Sequence, residues 1–295
     1  MATQNVIDCV IQKAKTDLQV FIDECNSQKK PLCDLRIDWK DPHYEKKELQ
    51  YLYMLRYFYA YLLEFKWLFN YVELDYFNVF SIGCGAYVDL LGLFTSHKSY
   101  EKNVTYCGID PVDWEYRDFI KSTLPHNYEI NFQQQRFEDY VGMPDGKNVL
   151  GRANVIIFPK SIEYMDTSAW AKIVEETDFQ EKTIYLIMNA MDFDYKNDVY
   201  KIDYLAKLLE TKVYNVCDNK EKSEFVPQWF CQFPESPEYP HDISDSWLFK
   251  LPSQCISYTQ CTNEDCYLKK FNSPIYSTSS FQYKIVKLVK NDSQC

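Results

Sequence analysis

The segment NVFSIGCGAYVDLLGLF, residues 78–94, joins two apolar runs through a short stretch that holds two of the seven glycines of the chain. The first run predicts a buried strand that ends at Gly83 and Gly85, and the second, from Val88, predicts an amphipathic helix. Glycine lets the backbone turn sharply and approach a ligand, and the first turn of a helix offers unpaired amide donors. The segment therefore predicts a nucleotide-type crevice, with a tight turn that binds nothing as the alternative.

A second apolar run, VTYCGIDPVDW at residues 104–114, predicts the next strand and places Asp110 at its carboxyl end. In dinucleotide-binding folds an acid about 20 residues after the glycine turn accepts hydrogen bonds from the ribose hydroxyls. Asp110 lies somewhat farther from Gly83 than that, and the polar loop between them can absorb the excess. The same residue, placed before Pro111, could instead only begin a turn. Both signals in this order favour the ribose-binding role.

The rest of the chain alternates short apolar runs with helix-length segments, which is typical of a parallel α/β sheet. The predicted strands are Asn78–Ile82, Val104–Ile109, Glu129–Gln134, Asn154–Phe158 and Thr183–Met188. The predicted helices between and after them are Val88–Thr95, Trp114–Ser122, Ala169–Thr177 and Val199–Thr211. We therefore expect one open, doubly wound, mostly parallel sheet with right-handed crossovers.

The sequence outside these elements divides into an N-terminal and a C-terminal part. Two helices, at residues 3–26 and from Glu45 to about Val72, predict an N-terminal helical cap. A later segment rich in Pro, Ser, Asp and Cys has no clear period and predicts an irregular C-terminal insertion or lid. Phe281–Val289 alternates in part and predicts a final edge strand. The predicted domains are the cap at 1–73, the α/β core at 74–217, the insertion at 218–275 and the final strand at 276–295.

The stretch SIGCGAY resembles the first motif of the class I S-adenosylmethionine-dependent methyltransferases, an acidic residue followed by three glycines at alternate positions. Gly83 and Gly85 match two of these glycines, while Ser81 stands in place of the acid and Tyr87 in place of the third glycine. Asp110 matches the acid that binds the ribose in this family. The resemblance covers roughly the predicted core, and it implies a Rossmann-like α/β fold with S-adenosyl-L-methionine as the cofactor.

Two further segments are similar to motifs of the same family. QQQRFEDYV, residues 133–141, matches the loop that holds the adenine, with Arg136, Phe137 and Glu138 as candidates, or else it opens a surface helix. NVIIFPKSIEYM, residues 154–165, matches the fourth strand and the loop that faces the transferred methyl group. The cofactor-binding residues that the resemblance implies are Ser81, Gly83, Gly85, Asp110, Pro111, Arg136 and Phe137.

Lys160 and Ser161, at the tip of the fourth predicted strand, are the candidates for a catalytic role. Lys160 could orient an anionic substrate, or act as a base if burial lowers its pKa. It could instead cap the turn or pair with Glu163. Methyl transfer is an in-line displacement at a sulfonium, so positioning can supply much of the acceleration and no signature base is required. The sequence alone therefore names no catalytic residue.

The composition limits the partners of the protein. The 295 residues are 46% hydrophobic and carry a formal net charge of −11, which allows a large core and disfavours contact with phosphate backbones. No tetrad of Asn or Asp, Pro, Pro and an aromatic residue follows the fourth strand, which argues against enzymes that methylate the amino groups of DNA bases. We expect a small-molecule or protein acceptor, with RNA less favoured and general DNA binding not expected.

The sequence also predicts a compartment and the state of the cysteines. The stretch MATQNVIDCVIQKAKTDLQV shows no secretory leader, and no run of about 18 uncharged apolar residues occurs, which predicts a cytoplasmic protein without membrane contact. Eleven cysteines, an odd number scattered through a long chain, favour free thiols. Cys255, Cys261 and Cys266 miss the spacing of closed zinc sites, so no metal is predicted.

Three functions compete at this point. The first is an S-adenosylmethionine-dependent methyltransferase of unknown acceptor. The second is a methyltransferase-like binding or scaffold protein without turnover, which Ser81 and Tyr87 would suit. The third is a nicotinamide dehydrogenase, which is disfavoured because Val88 stands where the last glycine of a GxGxxG pattern would fall.

Overall fold

The computed structural model describes residues 2–33, 35–37, 43–96, 101–190, 195–222, 251–256, 266, 268 and 282–291. Most of the predicted insertion lies outside these residues. The strands are β1 (Phe77–Ile82), β2 (Val104–Ile109), β3 (Tyr128–Gln133), β4 (Val155–Pro159), β5 (Thr183–Ala190), β6 (Tyr214–Lys222) and β7 (Gln282–Lys290). The α-helices are α1 (Ala2–Ser27), α2 (Lys47–Phe69), α3 (Val88–Thr95), α4 (Arg117–Thr123), α5 (Phe137–Val141), α6 (Pro144–Gly151), α7 (Thr167–Glu176) and α8 (Tyr195–Glu210).

The seven strands form one sheet in the order β3-β2-β1-β4-β5-β7-β6. Strands β1 to β5 are parallel, and β7 runs antiparallel between β5 and β6. The chain moves outward from β1 to β3 and then returns to β4 on the other side of β1, so the strand order reverses between β1 and β4. This arrangement confirms the predicted fold class, a Rossmann-like, doubly wound, mostly parallel α/β sheet. Open sheets of this kind bind ligands at the carboxyl ends of the strands beside the reversal.

The central strands are buried because helices cover both faces of a parallel sheet and neighbouring strands pair along both edges of each central strand. Every residue of β4 before Pro159 is buried, as is every residue of β5 after Thr183. The edge strand β3 instead alternates buried and exposed residues over its first half. Continuous apolar runs thus mark the centre of the sheet, and a two-residue alternation marks its edge.

By its internal contacts the chain divides into two compact units. The first comprises Met1–Leu63, Trp114–Thr123 and Phe230–Thr278, and the second comprises Glu64–Asp113, Leu124–Trp229 and Ser279–Cys295. The second unit holds the whole sheet. The predicted four-part division of the chain stays a prediction, although β6 continues to Lys222 and so extends past residue 217. The prediction that the final strand lies at the sheet edge is wrong, because β7 lies between β5 and β6.

Within the first unit, aromatic side chains join the N-terminal helices to the segment around α4. The ring centroid of Trp114 lies 4.9 Å from that of Tyr44 and 5.1 Å from that of Tyr53. The Tyr116 hydroxyl donates a hydrogen bond of 3.4 Å to Asp17 of α1. A segment that follows β2 in the sequence therefore packs with the N-terminal helices.

The structure differs from the sequence prediction at β6 and α6, which were not expected, whereas α5 forms at the segment RFEDY, where a helix was the alternative to an adenine-binding loop. The sequence of β6, YNVCDNKEK, is polar because this strand is the edge of the sheet and pairs only with β7. Cys217 in this strand is disulfide-bonded, so the prediction of free thiols is wrong at that position.

Among the described residues, no helix combines the length and apolar character that a membrane crossing requires.

Candidate functional site

The glycine turn after β1 adopts the backbone geometry that its sequence predicts. Gly83 has φ +73° and Gly85 has φ +49°, both in the left-handed region that glycine tolerates at little cost. The amides of Gly83 and Cys84 donate to the Ile109 carbonyl, at 2.8 and 3.1 Å. The Gly85 amide donates to Asp110 Oδ2 at 2.9 Å. The turn is therefore fastened to the carboxyl end of β2.

Tyr87 stands where the family motif has its third glycine, and its backbone is left-handed. Its φ is +62°, in the left-handed region, which is uncommon for a bulky residue and costs roughly 1–3 kcal/mol. The side chain is 1% exposed, and its ring packs edge-on against Tyr106 with the centroids 5.4 Å apart. A Cβ added at Gly108 would lie 2.8 Å from Cys84 Sγ and 3.1 Å from the Tyr87 ring. The turn thus packs closely over a glycine of β2.

Asp110 begins a turn, as one of its two predicted roles requires, and its ribose-binding role stays a prediction. Its Oδ2 accepts the Gly85 amide, and its Oδ1 accepts the Val112 amide at 2.8 Å, so it begins a turn as well as contacting the glycine turn. The residue is 8% exposed. Two backbone donors on the two oxygens fix the orientation of the carboxylate, and hydrogen bonds to an ionised acceptor are the strong ones. The acid at the end of β2 is therefore a preorganised acceptor beside the turn.

Ser161, after β4, fills the space beside Gly83. A Cβ on Gly83 would collide with the Cβ of Ser161 and lie 2.9 Å from its Oγ. The Ser161 hydroxyl donates to the carbonyl of Ile82, the last residue of β1. Gly83 thus allows the tips of β1 and β4 to approach each other. This packing role explains the glycine without a ligand, so contact of Gly83 with a cofactor stays a prediction.

A buried polar network lies at the carboxyl ends of β4 and β5. Lys160 Nζ lies 2.9 Å from Glu64 Oε2, and Asn189 Nδ2 donates to the same oxygen at 2.7 Å. The Lys160 amide donates to Asn189 Oδ1 at 3.0 Å. The Glu64 side chain is 1% exposed and that of Lys160 is 16% exposed. Lys160 thus pairs with Glu64 of α2, whereas the sequence suggested Glu163 as its partner.

Lys160 also has φ +51°, so the network holds a strained backbone at the tip of β4. Residues other than glycine persist in this region only when their surroundings determine the conformation, and they cluster at functional sites. Here the surroundings are the Asn189 side chain on the Lys160 amide and the Glu64 carboxylate on its ammonium. Lys160 therefore lies at the position beside the strand reversal where a bound substrate is expected.

The remaining predicted site residues lie in different environments. Pro111 and Arg136 are exposed, and Arg136 directly precedes α5. Phe137 is 3% exposed, with its ring centroid 4.6 Å from that of Trp170, in the hydrophobic core. Ser81 is fully buried in β1. The burial of Phe137 favours a packing role, and the assignment of all four residues to a cofactor stays a prediction.

Sequence reasoning missed Glu64 and Asn189. Glu64 was visible as a lone acid in the apolar stretch AYLLEFKWLF of the long helix, and Asn189 as the polar residue near the end of the run TIYLIMNA. A single polar residue in an otherwise buried element needs a partner, because an unpaired buried polar group costs free energy. That rule marks both residues, but it does not say that they meet at Lys160.

A cavity of about 320 Å³ in the second unit lies away from this crevice. Its lining includes Thr177, Phe179, Lys212 and Lys290, which belong to the segments at the amino end of β5. The Lys212 ammonium donates to the Glu175 carbonyl, and that of Lys290 donates to the Phe179 carbonyl. We place the candidate site at the carboxyl ends of the strands, because there the glycine turn, the acid and the buried network meet.

The described residues contain no group of three or more His, Cys, Asp or Glu side chains that could hold a metal ion. Cys255 and Cys266 are free thiols, and Cys261 lies outside the described residues. Nothing in this part of the chain adds a zinc ligand to the cysteines.

Comparison with known proteins finds matches among solved structures alone. No family model matches the chain, and no curated protein matches it. A cyclopropane synthase from Mycobacterium tuberculosis is 9% identical, with a TM-score of 0.43, over 77% of this chain and 83% of that chain. A geranyl diphosphate C-methyltransferase from Streptomyces coelicolor A3(2) is 8% identical, with a TM-score of 0.38, over 77% of this chain and 78% of that chain.

The plantazolicin methyltransferase BpumL, whose structure contains S-adenosylhomocysteine (SAH), matches over more of the chain. It is 13% identical, with a TM-score of 0.37, over 93% of this chain and 99% of that chain. Because these identities are 13% or lower and the TM-scores lie below 0.5, we take the fold from the strand order and argue the function from the site.

Proposed function

We propose that the chain is an S-adenosylmethionine-dependent methyltransferase that binds the adenosyl group of its cofactor at the glycine turn, with Asp110 on the ribose. One observation carries the proposal. The turn after β1, with left-handed Gly83 and Gly85, is joined by a hydrogen bond to the acid after β2, beside the reversal of strand order. Ligands of open α/β sheets bind at that reversal.

The residues present suit an adenosyl ligand. The Asp110 carboxylate, oriented by two backbone amides, is the acceptor that vicinal ribose hydroxyls require. Gly85 is half-buried and has no side chain between the backbone and a ligand. Arg136, Phe137, Pro111 and Ser81 enter the proposal on the resemblance alone.

When bound, the cofactor would supply a methyl group: an acceptor nucleophile attacks the methyl carbon in line, the bond from that carbon to the sulfonium sulfur breaks, and the neutral thioether SAH leaves. The role of this chain is to hold the two reactants in that geometry, and such positioning can supply much of the acceleration. In this proposal the network of Lys160, Glu64 and Asn189 fixes the loop after β4, on the acceptor side. A reactive site held by packed and hydrogen-bonded neighbours positions a substrate more accurately than a free loop.

The acceptor we propose is a small molecule or a protein, with RNA less favoured. The net charge of −11 disfavours contact with a phosphate backbone. The Lys160 ammonium is offset by the Glu64 carboxylate at 2.9 Å, so this pair adds no net positive charge at the crevice.

A second function, that of a methyltransferase-like binding protein without turnover, is favoured by two specific observations. The buried Tyr87 ring occupies the position of the third glycine, and Ser161 fills the space beside Gly83. Both reduce the room at a turn that otherwise approaches a ligand. A protein of this kind could bind an adenosyl ligand while transferring no methyl group.

Calorimetry with S-adenosylmethionine, SAH, adenosine and NAD separates these functions. Binding of the first three without NAD supports the adenosyl site, and methyl transfer from radiolabelled S-adenosylmethionine to a pool of candidate acceptors supports the enzyme. Binding without transfer supports the second function. If none of the four ligands binds the folded protein, the adenosyl site is wrong.

Replacing Asp110 with Ala is expected to weaken binding of SAH at least about tenfold, which corresponds to about 1.4 kcal/mol. The variant loses the proposed charge-assisted bonds to the ribose, and it also loses the acceptor of the Gly85 and Val112 amides. Calorimetry measures the change in affinity for SAH. It is done at a temperature where circular dichroism shows that the variant is folded.

Asp113→Ala is the matched control, because it removes the same charge from an exposed position three residues away. We expect its affinity for SAH to equal that of the wild type. An unchanged affinity in Asp110→Ala would remove Asp110 from the site. Asp110→Asn adds a graded case, since it keeps an oxygen acceptor but loses the charge.

A further inference from the structure

A carboxylate lies fully buried beside the glycine turn. Asp89, in the first turn of α3, has no exposed surface, and the Tyr106 hydroxyl of β2 lies 3.0 Å from both of its carboxylate oxygens. Ser81 of β1 is also fully buried, and its hydroxyl stabilises the ionised forms of both Asp89 and Tyr106. In the described part of the chain this hydroxyl has no hydrogen bond of standard geometry, so its contribution comes from proximity.

The residues around Asp89 also pack against the glycine turn. Tyr106 packs edge-on against Tyr87, and a Cβ on Gly108 would approach Cys84, Tyr106 and Tyr87 to within 2.8–3.1 Å. Asp89 follows Tyr87 by two residues and belongs to the helix that the turn begins. The Tyr106 side chain therefore links the Asp89 carboxylate to Tyr87, in the turn that we propose for the cofactor.

The groups facing Asp89 are two hydroxyls and two backbone amides. Ser81 comes from β1, Tyr106 from β2, and the amides are those of Asp89 and Leu90 in α3. Cys84 and Tyr87, from the turn, act on Tyr106 instead. On the side of α2, the backbone of Phe65 and Lys66 packs against Gly92 of α3. Among the described residues, the groups that shift the pKa of Asp89 include no cation.

Burial therefore dominates the titration of this carboxyl. The pKa of Asp89 is raised from 3.8 to about 6, because desolvation outweighs the opposing effects of the hydrogen bonds from Tyr106 and the amides of Leu90 and Asp89 and of the nearby Ser81 hydroxyl. A buried group of this kind changes its charge near neutral pH, and a nearby positive charge favours its ionised form. A ligand cation at the turn would supply the positive charge.

We propose that Asp89 is a buried counter-charge for the glycine turn, which favours a cationic sulfonium ligand over its neutral thioether analogue and whose ionisation is coupled to the binding of that cation. The proposal rests on the adenosyl site proposed above. Asp89 touches no ligand in this role and acts as a positioning residue through charge. Linkage requires that the effect be mutual, so the cation lowers the proton affinity of Asp89 by the same factor by which ionised Asp89 raises the affinity for the cation.

The sign of the pH dependence follows directly. Below about pH 6 Asp89 is protonated in the free protein, so binding the sulfonium must release that proton and the affinity is lower. Above this value the carboxylate is already ionised and the affinity reaches its maximum. We expect the ratio of SAH to S-adenosylmethionine dissociation constants to rise about tenfold between pH 5 and pH 7.5, within the usual range of coupling between sites.

Calorimetry on the full chain tests this expectation, with S-adenosylmethionine, SAH and adenosine at both pH values. The two adenosyl amino acids share their ammonium and carboxylate, so their ratio isolates the sulfonium charge. In Asp89→Asn the ratio is expected to be independent of pH, and adenosine is expected to bind equally at both pH values in both proteins. A ratio that changes with pH in Asp89→Asn as it does in the wild type would overturn the proposal.

Tyr106→Phe provides a second variant that keeps the carboxyl. Because the Tyr106 hydroxyl lowers the pKa of Asp89, its loss is expected to move the midpoint of the ratio to higher pH, a shift that a purely structural role would not produce. A midpoint unchanged from the wild type contradicts the counter-charge role. If the wild type binds neither adenosine nor SAH at either pH, the adenosyl site itself is wrong, and this result differs from binding without pH dependence.

Discussion

Replacing Glu64 with Ala is expected to lower the free energy of unfolding by about 3 kcal/mol. The change leaves the Lys160 ammonium without its carboxylate and Asn189 Nδ2 without its acceptor. Removing one partner of a buried ion pair costs roughly 3–5 kcal/mol. We take the lower end because the Lys160 side chain retains 16% exposure. Urea unfolding of both proteins measures the difference.

Two comparisons separate the ion pair from a general effect of losing an acid. Glu73→Ala makes the same change at an exposed position of the second unit and is expected to alter stability by less than about 0.5 kcal/mol. The double variant Glu64→Gln with Lys160→Met removes both charges and keeps an oxygen for Asn189, so it is expected to be much more stable than Glu64→Ala. If Glu64→Ala is no less stable than Glu73→Ala, the buried network does not support the tip of β4.

The parallel core of the fold could be predicted because its signals are local. Strand β2 was predicted with its observed limits, as was α3, since an apolar run bounded by glycine or charge fixes both ends of an element. The order of a glycine turn and then an acid also placed Gly85 and Asp110, which the structure joins at 2.9 Å. Neighbouring parallel strands have their carboxyl ends at the same edge of the sheet. The residues that follow these strands therefore lie close together.

The parts that were missed depend on contacts that local patterns do not encode. Strand β6 is polar because it pairs on one side only, and its register shifts between Val216 and Asp218, so no alternation marks it. Phe137 follows a predicted strand in the same manner as a ligand-binding residue, but the structure places it in the core against Trp170. The sequence predicted that Phe137 follows β3. Whether its side chain contacts a ligand or packs in the core depends on tertiary packing.

The partners of Lys160 illustrate the same limit at the site. A lysine at a strand tip followed by Glu163 suggests a local pair, yet Glu64, almost a hundred residues earlier in the chain, provides the carboxylate. The apolar helix α2 brings that acid to the carboxyl end of the sheet. Because such a contact depends on how a helix packs on distant strands, only the unusual polarity of the position could be read from the sequence.

Replacing Gly83 with Ala is expected to lower the free energy of unfolding by about 3 kcal/mol and to abolish measurable binding of SAH. Two costs combine, since alanine is strained at φ +73° by roughly 1–3 kcal/mol and its Cβ would collide with that of Ser161. Relief of the collision requires the tips of β1 and β4 to separate, which would move the turn away from Asp110. Urea unfolding and calorimetry measure the two effects.

The variant Gly83→Ala with Ser161→Gly distinguishes the collision from the backbone strain, because it removes the obstructing side chain and leaves φ unchanged. We expect it to recover roughly the overpacking part of the loss, about 1–2 kcal/mol, after correction for Ser161→Gly alone. Gly142→Ala is the matched control, since that glycine is exposed and has φ −64°, where alanine is unstrained, and a change within about 1 kcal/mol is expected there. A Gly83→Ala protein as stable as Gly142→Ala would contradict the close approach of the two strand tips, on which the position of the turn depends.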